Sequence, residues 1–147
     1  MSDLSRFVVF PLGARHYAVE SSRVSELLMP LQVFGFPHTT PSLEGVLVRR
    51  GTVIPVVSLP LAYGLGGPRR LYLVTCCTLG GRPETVAIPV SGECELLAGV
   101  CGEAAQPEQF ITGTLHAEGR SFPLLDIDGI VAHCIQAQAA GSGEARQ

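Results

Sequence analysis

The chain contains no lysine, no tryptophan and no asparagine, and all ten of its cationic side chains are arginine. Without lysine there is no Schiff-base chemistry and no phosphate-loop lysine. Charge is scarce as well: 16% of residues are charged and the formal net charge is −3. That balance supplies none of the basic field on which nucleic-acid binding depends, so no nucleic-acid partner is expected. Met1 to Arg6 carries no apolar signal core. No apolar run approaches the roughly 18–20 residues of a membrane span, so no direct membrane insertion is expected. The five cysteines, Cys76, Cys77, Cys94, Cys101 and Cys134, are odd in number and have no framework spacing. A reducing cytoplasm is the simplest compartment for such a chain.

Apolar material is plentiful. Hydrophobic residues make up 46% of the 147, enough for one ordinary domain with a sizeable core. They come in short runs broken by Gly and Pro: Phe7 to Leu12, Tyr17 to Val19, Leu71 to Leu79, Thr85 to Val90 and Glu95 to Val100. Gly45 to Leu59 reads as two strands around a turn at Arg50-Gly51, and Phe110 to Leu125 as two around Glu118-Gly119. Short β-branched runs with turn signals at this spacing predict a small barrel or sandwich. Two helices are expected. Ser21 or Ser22 caps a short one through Leu28, with Pro30 ending it. Asp126 or Asp128 caps a C-terminal one through Ile130, Val131 and Ile135 towards Ala140.

The chain also repeats itself. Gly45, Leu47, Gly51 and Pro55 recur as Gly113, Leu115, Gly119 and Pro123, each 68 positions later. Glu26-Leu27-Leu28 recurs as Glu95-Leu96-Leu97, and Tyr17-Ala18-Val19 aligns with Val86-Ala87-Ile88, both 69 positions apart. The pattern implies two copies of one unit of about 65–70 residues, each a strand, a bend and a hairpin. Units this small bury little surface alone, so they are expected to pack together or exchange strands around a shared core. The proline after each hairpin tip removes a backbone donor and is expected at an edge or bulge.

Catalytic patterns are missing. His16, His38, His116 and His133 are scattered without metal-ligand spacing. Gly64-Leu65-Gly66-Gly67 lacks the Lys-Ser/Thr of a phosphate loop and reads as a connector, and no serine sits in a Gly-x-Ser-x-Gly elbow. Asp126 and Asp128 stand among apolar neighbours, as helix-capping residues do. No enzyme activity, cofactor or metal is expected. Cys76-Cys77 reads as an outward cysteine beside a core one, with a thiol or redox role for either as the alternative. Arg49 and Arg50 at a hairpin tip are either simply solvated or a polar contact for a partner. Leu27, Leu28, Met29, Leu31 and Val33 are either core or an exposed docking groove.

The hairpin blocks carry a family resemblance. Gly45-Val-Leu-Val-Arg-Arg50-Gly51-Thr-Val-Ile-Pro55-Val-Val-Ser-Leu59 resembles the Gly-x-x-Asn-Leu-Arg-Gly and Pro-Val-x-Asp-Leu pattern of the CheW chemotaxis coupling family. Tyr17-Ala18-Val19, Val24-Ser25-Glu26, Pro37 and Pro41 resemble the stretch leading into it. Ile111-Thr112-Gly113 and Phe122-Pro-Leu-Leu125-Asp126-Ile127 resemble the family's closing hairpin and the start of its last helix. Val48 and Arg49 stand in place of Asn-Leu, and Ser58 in place of the Asp.

The resemblance implies an all-β fold of two small five-stranded SH3-like barrels from an internal duplication. They share a hydrophobic core, with short helices and a C-terminal helix. It implies one CheW-like domain over 1–140, with pseudo-repeats at about 7–65 and 71–135, and a flexible tail at 141–147. The partners it implies are a chemoreceptor cytoplasmic tip and a histidine kinase regulatory domain. Carried onto this sequence, it makes Arg50 and Arg49 the polar receptor contact, with Val48, Leu28 and Met29 as the apolar surround. The departures leave open a module of a pilus-motility or other non-flagellar pathway that binds only the kinase.

Overall fold

The structure is a computed structural model, and it describes residues 4–29, 43–57, 71–105 and 108–133. Among these described residues ten strands form in chain order: β1 Ser5–Leu12, β2 Arg15–Glu20, β3 Val24–Leu28, β4 Leu43–Arg49 and β5 Thr52–Val57, then β6 Leu71–Leu79, β7 Arg82–Val90, β8 Glu95–Gly102, β9 Ile111–Ala117 and β10 Arg120–Leu125. A helix, α1, follows over residues 127–133.

Among the described residues, four hairpins turn through two residues each. At Gly80-Gly81, Arg50-Gly51 and Glu118-Gly119 both residues have positive φ, the geometry that matches the twist of the flanking strands. Arg50 at φ 53 and Glu118 at φ 51 adopt it despite their side chains.

The two repeats exchange strands. One closed barrel runs β1-β2-β10-β9-β8, so the first two strands of the chain complete a barrel otherwise built from the last three. The other five strands form a sheet in the order β3-β6-β7-β5-β4, in which β6 and β7 return the exchange. The handover is made by one parallel bridge on each side, Leu124 with Ala18 and Val56 with Ala87. These bridges are themselves repeat equivalents, offset by 68 and 69 positions. Pro55 and Pro123 each sit one residue before a bridge, so the strand carries no parallel ladder where its donor is missing. Neither β5 nor β10 is an edge strand; of the two expected settings, edge or bulge, the irregularity is the one found, with register shifts at Leu124/Leu125 and at Leu43/Gly45 opposite Val56 and Val57.

Exchange makes the donated hairpins two-sided. On β1, Phe7 and Val9 face the closed barrel's interior with Ala18, Leu97, Leu115, Ala117 and Phe122. Phe10 and Leu12 on the same strand face the other way. There they join Tyr17, Val19, Leu73, Ile88 and Val90 in a core shared between the two units. β6 alternates likewise: Tyr72 and Val74 enter the second interior, Leu73 and Cys77 the shared core. A strand covered on both faces reads as a near-continuous apolar run, as Phe7 to Leu12 and Leu71 to Val74 do.

α1 covers the shared core with Ile127, Ile130 and Val131. Asp126 caps it: the Gly129 N–H donates to Asp126 Oδ1 at 3.0 Å. The residues of the expected helix beyond 133 lie outside the described ones, as does the tail at 141–147.

The expected helix from Ser21 to Leu28 is not present. A 3-10 turn occupies Ser21–Arg23, and Val24–Leu28 is strand β3, paired with β6 from Val24 opposite Thr75 to Leu28 opposite Tyr72. Serine caps and Leu-Leu suit a helix locally. The unsatisfied edge of β6 offers a ladder instead, and that tertiary pairing overrides the weak local preference.

Candidate functional site

The candidate receptor-contact residues converge on the tip of the β4–β5 hairpin and the strand facing it. β4 runs inward and outward alternately: Gly45 and Leu47 are buried, while Val48 is 49% exposed. Its cross-strand partner on β5 is Val53, 61% exposed, so two bare β-branched side chains stand together on the outer face. Arg49 follows on the inward-facing register and is half-buried. Its Nη2 donates to Glu26 Oε1 at 2.8 Å and its Nε to the same oxygen at 3.3 Å. The Arg49 guanidinium, with help from Arg50, holds the Glu26 carboxyl below the usual carboxylate range, and Glu26 raises Arg49 in return.

This ion pair joins β4 to β3. Beside Glu26 on β3, Leu27 is 45% exposed, and Met29 just beyond the strand is 70% exposed. The line between the two strands is thus flanked by Leu27 and Met29 on one side and by Val48 and Val53 on the other. Arg50 is exposed at the turn. Leu28 lies elsewhere: it is buried in the second interior with Leu47, Ile54, Val56 and Tyr72. Its side chain supports the surface from beneath and offers no direct contact. Leu31 and Val33 lie outside the described residues. The arrangement can hold an apolar ridge and a carboxylate together, the chemistry of docking a helix or loop.

A second polar cluster was not foreseen in the sequence. Arg23 donates from Nη1 and Nη2 to both oxygens of Asp128, at 2.7 and 3.0 Å. The Thr78 N–H donates to Asp128 Oδ1 at 2.9 Å. The cluster joins the turn before β3, the end of β6 and α1. Arg23 holds the Asp128 carboxyl below its usual range, and Asp128 raises the Arg23 guanidinium. Of the two candidate caps, Asp126 serves the helix and Asp128 is engaged here. The partners are 105 positions apart, and no local pattern marks the pair.

The cysteines divide as the apolar pattern suggests. Cys76 is exposed and Cys77 buried. Burial pushes the Cys77 thiol up to about 11, and the Cys94 thiol likewise to about 11. A thiol held protonated is a poor nucleophile, which weighs against a redox role for Cys77. Among the described residues, no group of three His, Cys, Asp or Glu side chains is placed to hold a metal ion, and no helix is long and apolar enough to cross a membrane.

Comparison with known proteins agrees with this fold. The CheW-like domain family profile matches residues 6–134, most of the chain. A curated relative, the chemotaxis protein CheW of Helicobacter pylori, is 32% identical over 63 residues. That stretch covers 43% of this chain and only 38% of the relative. The crystal structure of the scaffolding protein TtCheW from Thermoanaerobacter tengcongensis superposes with a TM-score of 0.72 at 16% identity, over 88% of this chain and 89% of that one. At that identity the likeness speaks for the fold.

Proposed function

Because the chain belongs to the CheW-like domain family, we propose that it is a non-catalytic scaffold of bacterial chemotaxis signalling, working in the cytoplasm. It couples the cytoplasmic tip of a chemoreceptor to the regulatory domain of a histidine kinase. Its work is geometric: two partners held in fixed relation allow a small movement in one to bias the other.

The observation that carries this reading is the surface around β3 and β4. Four exposed apolar side chains, Leu27, Met29, Val48 and Val53, stand beside Arg49 and Arg50. Isolated surface hydrophobics are ordinary, but a cluster bordered by arginines suits a partner helix with an apolar face and a carboxylate. Arg49 is already engaged by Glu26, so Arg50 is the arginine assigned to the partner's carboxylate.

The test is a pull-down of the purified chain with two baits, a receptor cytoplasmic hairpin and a kinase regulatory domain. Capture by both, with receptor binding alone weakened by Arg50→Glu, supports the scaffold and its site. Capture by the kinase domain alone favours the non-flagellar module left open by Val48, Arg49 and Ser58. Receptor binding that ignores Arg50→Glu removes the polar assignment.

A further inference from the structure

The closed barrel carries a cavity that a scaffolding role leaves unused. On β9 and β10, Leu115 and Phe122 belong to the barrel's interior. Thr114 is next to Leu115 in the strand and so points to the outer face, yet it is buried. A cavity of about 220 Å³ lies there. Arg15 at the start of β2 and Glu108 from the connection before β9 supply its charges. Thr114 and Ser121 supply hydroxyls, and Ile111, Phe122 and Pro123 an apolar wall.

The two charges already meet. Arg15 Nη1 donates to Glu108 Oε2 at 3.3 Å, longer than the about 2.7–2.9 Å of a strong charge-assisted bond. Their side chains are 32% and 30% exposed, so water screens the pair and its strength is modest. The Arg15 guanidinium also lies 5.3 Å from the centroid of the Tyr17 ring, which positions the cation from a second side. Ser121 Oγ is placed 3.1 Å from His116 Nδ1.

The fold itself does not demand this polar set. In the other unit Glu84 stands at the position equivalent to Arg15, Val46 at that of Thr114 and Val53 at that of Ser121, 69, 68 and 68 positions apart. The apolar wall is kept, with Ile54 for Phe122 and Pro55 for Pro123. One unit has thus gained a cation and two hydroxyls where its twin has an anion and two valines.

We propose that this cavity binds a free α-amino acid with an apolar side chain about the size of leucine. The ligand carboxylate accepts from Arg15, its ammonium donates to Glu108, and its side chain lies against Ile111, Phe122 and Pro123. The cavity is smaller than the roughly 300–1,000 Å³ of pockets for drug-sized ligands, which suits so small an occupant. Binding exchanges the Arg15–Glu108 bond for two ionic bonds and leaves neither charge without a counter-charge. A ligand lacking one charge strands the matching side chain, and that penalty is the source of selectivity.

Titration of the full chain with L-leucine, followed by amide NMR and calorimetry, tests this. The expected result is saturable binding in the millimolar range or tighter, as so few ligand atoms allow, with shifts centred on the Ile111, Thr114 and Phe122 amides. Leucinamide, which lacks the carboxylate, and N-acetylleucine, which lacks the ammonium, bind at least about tenfold more weakly. Arg15→Gln erases the preference for leucine over leucinamide, and Glu108→Gln erases the preference over N-acetylleucine. The absence of saturable shifts at those amides overturns the proposal. So does equal binding of the three compounds to the wild-type chain, or a pair of variants that keep both preferences. The capped ligands decide the matter on the unaltered protein even if a variant fails to fold. None of these readouts involves a receptor or a kinase.

Discussion

Removing the Asp128 carboxylate is expected to loosen the junction between the two units by a predictable amount. Asp128 accepts two bonds from Arg23 and one from the Thr78 N–H. A hydrogen bond to a charged group is worth about 1.5–3 kcal/mol when screened from water, and an exposed ion pair about 0–1. Both side chains here are 37% exposed, so solvent screening pulls the value towards the lower range. Asp128→Ala loses the pair, at about 1 kcal/mol, and the Thr78 acceptor, at about 0.5 more. A total of about 1.5 kcal/mol lowers Tm by about 3–6 °C for a chain of this size. Asp128→Asn keeps an acceptor for Thr78 and isolates the charge, costing about 1 kcal/mol.

The pH dependence has a definite sign. Arg23 holds the folded carboxyl below its ordinary value. The pair's contribution is therefore complete above an unfolded pKa of about 3.9 and is lost as pH falls through the lower folded value. The gap in stability between wild type and Asp128→Asn is constant near neutrality and closes under acid. Thermal and urea melts of wild type, Asp128→Ala, Arg23→Ala and the double variant provide the assay. If the double-variant coupling is indistinguishable from zero, or the gap persists unchanged at pH 2, the carboxylate is not holding Arg23 as described.

Gly99→Ala places a methyl against the His116 carbonyl and is expected to destabilise by about 1–3 kcal/mol in denaturant melts. Gly102→Ala, whose nearest neighbour is the movable His116 ring at 3.2 Å, should cost much less; equal losses would show the close approach is not what matters. Glu118→Asn relieves a left-handed residue in a turn that favours Asn-Gly and is expected to stabilise by about 0.5–1 kcal/mol, read as a raised urea midpoint. In the native protein a thiol reagent should label Cys76 and Cys101 readily and Cys77 only on unfolding; mass spectrometry of the labelled peptides decides it.

Much of the architecture was legible in the sequence because it is written locally. Turn glycines at Gly13, Gly51, Gly81 and Gly119 and β-branched runs between them fix four hairpins with little help from the rest of the chain. The repeat of Gly45 to Pro55 at Gly113 to Pro123 foretold two equivalent units. What the sequence left open was which unit each hairpin joins. Phe7 to Leu12 has the same apolar pattern whether it closes its own barrel or the other one, since both neighbours present equivalent edges. Ser21 to Leu28 misled for a related reason: its helical signals are local, and the edge of β6 that claims it is distant. At the site, Arg49, Arg50 and Val48 were visible as an odd hairpin tip. The engagement of Arg49 by Glu26 had no signal in the repeat: the position equivalent to Arg49 is Ala117, and the equivalent Glu95 is bound by Arg120, whose own counterpart is Thr52. Leu28 carried no mark separating it from its exposed neighbours Leu27 and Met29.

Strand exchange has a consequence for how the chain is made. Phe7 pairs with Leu97, and Leu124 meets Ala18, so the closed barrel draws on both ends of the sequence. On a ribosome β1 and β2 emerge first, yet their barrel waits for β8 to β10, and β3 to β5 wait for β6 and β7. The second sheet has all its strands once β7 has emerged, but the closed barrel waits for β10, and such distant pairings are slow to close. The nascent chain therefore carries a hairpin that is apolar on both faces for most of its synthesis, which makes this small protein a natural client for a chaperone. By the same logic, a cut between residues 57 and 71 leaves two halves that are each incomplete and that fold only in each other's company.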